Sequence, residues 1–171
     1  NAMAWHPRRG LSDPFDGQTD LNNRIIRAVG DANLRFGEDA LRIMRCLRFS
    51  SELNFDIHPS TLEAAIRLAP SLSNISVERI TGELCRLITG ERPELLKTLI
   101  DAGGLAHCGL SDLQDASKLA LLPPVKEVRL CGLMRLCRSG LPAGQILRGL
   151  RLDNKTIHNV CALLDALDRP L

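Results

Sequence analysis

The stretch RFGEDALRIMRCLRF, Arg35 to Phe49, decides how this chain is read. At about 100° per residue it sorts into two faces. Phe36, Ala40, Ile43, Met44 and Leu47 form an apolar stripe suited to a core. Opposite them Arg35, Glu38, Asp39, Arg42 and Arg45 share a polar arc, with Arg48 at its edge. Two readings of the arc are open. Arg35–Asp39 and Glu38–Arg42 stand at i,i+4, where opposite charges support a helix by a few tenths of a kcal/mol, so the arc can be a solvated, salt-bridged face. Alternatively it is a recognition surface, because Asp39 and Arg42, one helical turn apart, set a hydrogen-bond acceptor beside a donor.

That pairing has a chemical meaning. Cytosine offers its N4 amino donor beside the N3 acceptor, and adenine its N6 amino donor beside N1. Both match an ionised carboxylate next to a guanidinium. Uracil and guanine present an acceptor beside an N–H donor and clash. The penalty for the wrong base is an unpaired polar group, which discriminates strongly.

The rest of the chain predicts packed helices. Of 171 residues, 44% are hydrophobic but only 3% aromatic, so the core must be built from Leu, Ile, Ala and Val. Ala2–His6 and Gly10–Asp13 are expected to pair as a short hairpin, and Asp13-Pro14 and Asp16-Gly17 mark turns. A helix capped by Thr19 or Asp20 should run to near Gly30, followed by the motif helix from about Phe36 to about Leu53. Further helices are expected from His58-Pro59-Ser60, from Ser76 to Ile88, from Pro93 to Ala102, and from Asp112 to Leu121. Beyond Pro123-Pro124 they are expected at Val125–Ser139, Pro142–Leu150 and Asn154–Leu167, the last capped by Asp153. The fold class is all-α, with a small β-hairpin at the N-terminus.

Other chemistry is thinly represented. The six cysteines include no C-x-x-C pair and read as buried thiols of a reducing cytoplasm. Asp13, Asp16 and Asp20 do not have calcium-loop spacing and read as turn and cap residues; no metal ligand is assigned. None of the four His precedes an Asp, which removes an HD phosphohydrolase module. No apolar run is long enough to span a membrane. The net charge is +2, and 18 of the 22 basic residues are Arg, the better planar donor to phosphates and base edges. With few aromatics for base stacking, Arg67, Arg86, Arg135, Arg138, Arg148 and Arg151 are candidates for salt-sensitive contacts to RNA phosphates or are ordinary surface residues.

Three segments, in order, carry a family resemblance: DPFDGQTDL (Asp13 to Leu21), VGDANLRFGEDALRIMRCLRF (Val29 to Phe49) and ISVERITGEL (Ile75 to Leu84). They closely resemble the head–neck linker, the nucleotide-recognition motif and the following neck motif of bacterial class II tRNA nucleotidyltransferases and poly(A) polymerases. The resemblance is strong over residues 1–90 and weak afterwards. It implies a head remnant and linker at 1–20, a neck at 21–90 and a helical body at 91–171. It further implies that Asp39 and Arg42 choose the nucleotide, that Arg45 and Arg48 help hold it, and that Arg35, Glu38, Arg79 and Glu83 are supporting residues. Arg79 and Glu83, an i,i+4 pair, are expected to brace their helix against the motif helix. Implied substrates are ATP, CTP and a tRNA or other RNA 3′ end. Mg2+ would be held by carboxylates of a catalytic head that this chain does not contain, so the chain alone is expected to be inactive. The product stays open between CCA addition, A-only addition and poly(A) synthesis. A non-catalytic helical RNA-binding module is the alternative from another class.

Overall fold

The structure, a computed structural model, describes residues 3–168. It is an all-α array with a short antiparallel hairpin at its start. The hairpin joins β1 (Ala4–His6) to β2 (Gly10–Ser12) with Trp5 opposite Leu11; Ala2, the expected first strand residue, lies outside the described residues.

The next segment departs from expectation. Helix α1 covers only Gly17–Asn22, and its first N–H groups are capped not by Thr19 or Asp20 but by Asp13, whose two oxygens accept from Gly17 and Gln18 at 2.8 Å each. It stops well before Gly30 because Arg24 adopts a left-handed φ of 57°, and the chain turns into β3 (Ile25–Ile26). This strand pairs in parallel with β4 (Asp56–Ile57), a non-local bond pattern that no local sequence signal announces.

The motif is two helices rather than one. Helix α2 spans Ala32–Glu38, capped by Asp31, and α3 spans Leu41–Leu53. Between them Asp39 is extended (φ −152°, ψ 103°) and caps α3: its Oδ1 accepts from the Leu41 N–H at 3.0 Å and its carbonyl from the Arg42 N–H at 3.0 Å. Asp competes for local backbone donors and therefore favours caps over helix interiors. The break leaves the apolar stripe in phase. Phe36, Ala40, Ile43, Met44 and Leu47 are all buried.

Helix α4 (Pro59–Leu68) starts with Pro at its first turn and packs on α2. Helix α5 (Val77–Ile88) lies along α3, with Ile80, Leu84, Leu87 and Ile88 in the core. The C-terminal ends of these two helices approach so closely that a Cβ on Gly90 would sit 2.8 Å from the Ser51 carbonyl carbon. Ser51 stitches them: its hydroxyl donates to the Leu87 carbonyl at 2.8 Å and accepts the Arg92 N–H at 3.1 Å, while its carbonyl accepts the Glu91 N–H at 2.9 Å.

After a tight turn at Pro93–Leu95 come α6 (Leu96–Asp101), α7 (Lys126–Leu136), α8 (Ala143–Gly149) and α9 (Asn154–Leu167). Asp153 caps α9 as expected, accepting the Thr156 N–H at 2.8 Å. The expected helix from Asp112 to Leu121 shortens to a 3-10 turn at Ala116–Leu121, because Leu113 instead pairs with Cys137 in an antiparallel bridge. The same bridge ends α7 before Ser139. Arg129, buried on α7, donates to the carbonyls of Leu122, Pro123 and Ile88 at 2.9–3.1 Å and so fixes the loop before α7 to the end of α5. Its desolvation pulls the guanidinium below its ordinary pKa. No helix among the described residues is long and apolar enough to cross a membrane.

Candidate functional site

The junction of α2 and α3 presents Arg35, Glu38, Asp39, Arg42 and Arg45 on one open face. The expected Arg35–Asp39 pair is not formed, because the chain turns out of the helix at Asp39. Arg35 reaches Glu38 instead, at 3.1 Å, and Glu38 also contacts Arg42. The hydrogen bonds from Arg42 and Arg35 hold the Glu38 carboxyl below its usual value. Arg42 Nη1 further donates to the Arg35 carbonyl at 3.0 Å. One edge of the Arg42 guanidinium is thereby fixed, while Nε and Nη2 have no partner among the described residues.

Asp39 is held from two directions. Besides the Leu41 N–H on Oδ1, Arg79 Nη2 on α5 donates to Oδ2 at 3.0 Å. Partial burial by itself raises the Asp39 carboxyl. The Leu41 N–H, the Arg79 guanidinium and the charge of Arg42 outweigh it and keep the group below the usual carboxylate range. Asp39 is therefore an ionised acceptor at neutral pH, under the charge of Arg42, whose Nε and Nη2 stay unbonded among the described residues.

Arg45, one turn further on, is exposed and lies over the Phe49 ring at 5.9 Å. Arg48 does not sit at the edge of the arc. It is 3% exposed, stacks 3.7 Å over Phe49, and donates to Glu83 at 2.6 Å and to Glu52 at 2.7 Å. With both acids engaged, Arg48 joins α3 to α5 rather than facing a ligand. Arg79 and Glu83 do not pair with each other within α5; each bonds across to the motif segment, which is the bracing of α5 against the motif helix expected of them. Glu52 was not singled out from the sequence, although it stands at i+4 from Arg48. It bridges Arg48 and Arg86, the latter at 2.8 Å. Arg129, also unforeseen, carries no local pattern that would mark a buried guanidinium.

The six arginines considered for RNA are all exposed and lie on different elements. Arg67 contacts Asn33, Arg86 pairs with Glu52, and Arg135 pairs with Asp168 at 2.8 Å. Arg138, Arg148 and Arg151 have no carboxylate partner among the described residues. Asp13, Asp16 and Asp20 are spent on local bonds: Asp16 accepts from the Thr19 hydroxyl at 2.7 Å, and Asp20 takes three bonds from Arg27 at 2.9–3.1 Å. No group of three His, Cys, Asp or Glu among the described residues is placed to hold a metal ion.

Residues 54–108 match a family model described as the probable RNA and SrmB-binding site of polymerase A. The CCA-adding enzyme of Geobacillus kaustophilus is 39% identical over 98% of this chain and 43% of that enzyme. The CCA-adding enzyme of Levilactobacillus brevis is 48% identical over 63% of this chain and 28% of its own length. Among solved structures, the Bacillus stearothermophilus CCA-adding enzyme in complex with CTP superposes with a TM-score of 0.80 at 33% identity, covering 98% of this chain and 44% of that one. This chain thus spans less than half the length of the relatives it matches end to end. By sequence over nearly its whole length, and by fold, the chain belongs to the family of bacterial tRNA nucleotidyltransferases and poly(A) polymerases and matches the neck and body of CCA-adding enzymes.

Proposed function

We propose that this chain is the nucleotide-choosing, RNA-binding part of a tRNA nucleotidyltransferase that adds CMP and AMP to tRNA 3′ ends. The observation that carries the reading is the partly exposed Asp39 carboxylate, pinned by Leu41 and Arg79 and ionised, within reach of the charge of a half-exposed Arg42 whose Nε and Nη2 stay unbonded among the described residues. Cytosine N4–H or adenine N6–H donates to Asp39, and cytosine N3 or adenine N1 accepts from Arg42. Uracil and guanine meet a donor with a donor and an acceptor with an acceptor. The protein edge does the selecting, so no nucleic-acid template is needed. Arg45, exposed and without a carboxylate partner among the described residues, supplies positive charge for the nucleotide's phosphates. Of the six arginines considered for RNA, Arg138, Arg148 and Arg151 are those without a carboxylate partner among the described residues and so the freest to meet RNA phosphates.

Phosphoryl transfer in this reading is a two-metal reaction, with Mg2+ bound by a catalytic head. No group of three His, Cys, Asp or Glu among the described residues fits that metal. The part of this chain is to bind and orient the base. The purified chain is accordingly expected to incorporate no label from ATP or CTP into tRNA lacking its terminal nucleotides. When the chain is joined to a head domain, Asp39→Ala and Arg42→Ala should abolish the preference for CTP and ATP. Unchanged nucleotide choice and rate in both variants would refute the assignment. An A-adding or poly(A)-synthesising relative uses the same edge, since Asp39 and Arg42 accept adenine as readily as cytosine. Supplying CTP and ATP separately to the joined protein separates these activities.

A further inference from the structure

Three charge pairs cross between the motif segment and α5: Asp39 with Arg79, Arg48 with Glu83, and Glu52 with Arg86. Their signs alternate. Sliding α5 by one turn would set Glu83 against Asp39 and Arg86 against Arg48, like charge on like charge in both places. The ladder therefore admits one register, and that register delivers Arg79 to Asp39. The delivery matters because of what each Asp39 oxygen has left. A carboxylate offers about four lone-pair sites. The Leu41 N–H occupies one on Oδ1 and Arg79 occupies one on Oδ2, which stops the group rotating and leaves about one further site on each oxygen.

We infer that Arg79 is a positioning residue for base selection, which fixes the Asp39 carboxylate as a non-rotating, acceptor-only edge. The role rests on Asp39 and Arg42 reading the base, and goes beyond it by making selectivity depend on a side chain that need not touch the nucleotide. The charged groups around Asp39 are Arg79 from α5, Glu38 and Arg35 from α2, and Arg42 from α3. Because Glu38 engages Arg35 and Arg42, Arg79 is the cation bonded directly to Asp39. Once it is removed, Asp39 takes up a proton more readily. A protonated Asp39 can no longer be relied on to accept from N4 of cytosine or N6 of adenine.

The Leu41 amide, hydrogen-bonded to Asp39 Oδ1, is a built-in reporter of that protonation. In the 15N-labelled chain the pH midpoint of its NMR resonance should rise in Arg79→Met and in Arg79→Gln. It should return most of the way in Arg79→Lys, which restores the charge without the planar fork. Titration with CTP and with UTP should show the affinity ratio falling about tenfold in Arg79→Met, the scale of one lost charge-assisted hydrogen bond. At 52% side-chain exposure Arg79 can be replaced without emptying the core, and Arg79→Gln provides a second variant of similar reach. An unmoved Leu41 midpoint, or an unchanged CTP-to-UTP ratio in folded variants, overturns the inference. A wild-type chain that binds CTP and UTP equally while the Leu41 midpoint still moves refutes the base reading itself. Arg79 would then hold Asp39 without serving selection.

Discussion

Replacing Arg48 by Met tests whether the motif helix is held by a buried charge network or by apolar packing alone. Arg48 is 3% exposed, and the substitution keeps much of its volume while removing the cation between Glu83 and Glu52. Glu52 retains Arg86, but Glu83, 17% exposed, keeps no other cation among the described residues. Removing one partner of a buried pair destabilises by about 3–5 kcal/mol, because the remaining charge stays desolvated. The partial exposure of both acids places Arg48→Met near the lower end, at about 3 kcal/mol, including about 1 kcal/mol for the lost stacking on Phe49. Glu83→Gln should cost less, about 1–2 kcal/mol, since Arg48 still has Glu52. The double variant Arg48→Met/Glu83→Leu should recover to within about 1 kcal/mol of wild type, as apolar replacements of buried pairs commonly do. Urea unfolding followed by far-ultraviolet circular dichroism gives all three values. If Arg48→Met costs under about 1 kcal/mol, the network is worth no more than a surface pair and the reasoning fails.

Gly90→Ala should destabilise by about 2 kcal/mol or more, because its methyl group meets the Ser51 backbone at 2.8–2.9 Å, which side-chain movement cannot relieve. Gly37→Ala on α2, with open space around a Cβ, should instead stabilise by about 0.5–1 kcal/mol, and the opposite signs in thermal melts check both placements. The Cys46 thiol, buried and pushed up to about 12 by desolvation, should resist iodoacetamide in mildly alkaline buffer until urea is added. Peptide mapping by mass spectrometry reads this, and rapid labelling of the native chain would contradict its burial. Asp39, Glu38, Asp13 and Asp153 all have folded-state carboxyls held below their ordinary values of 3.8 or 4.5. The unfolded chain then binds more protons in that range, so their stabilisation is present above it and is lost as pH falls through the lowered values. Urea midpoints should therefore drop below about pH 4, the more so as acidity increases.

The apolar stripe from Phe36 to Leu47 was legible in the sequence because burial follows the helical period. The break at Asp39 was not, because Ala40 returns at once to helical angles and the stripe resumes in phase. Gly37 followed by Asp39, a weak helix residue and then a strong cap, was the available signal. Charge pairs were read less well, for a physical reason. The i,i+4 rule ranks partners within one helix and would have found Glu52 for Arg48, whereas the Arg48–Glu83 and Asp39–Arg79 pairs join elements 35–40 residues apart. The capping of α9 by Asp153 and the Pro59 start of α4 rest on local chemistry, and both were foreseen. The parallel pairing of Ile25–Ile26 with Asp56–Ile57 depends on tertiary closure alone.

That two-rung strand pair has a consequence for the order in which the chain assembles. It closes a loop that contains all of α2 and α3, and its few hydrogen bonds repay the closure entropy only once those helices have already brought Asp56–Ile57 to Ile25–Ile26. The helical core is therefore the earlier event and the strand tie the later one. On the reverse path the tie opens first. The Asp56 and His58 amides, which donate to the Arg24 and Ile26 carbonyls at 2.9 Å, should exchange with solvent well before the amides of α3 and α5. The tie thus behaves as a low-stability clasp on a more durable helical body, able to release everything N-terminal to Ala28 without unfolding the core.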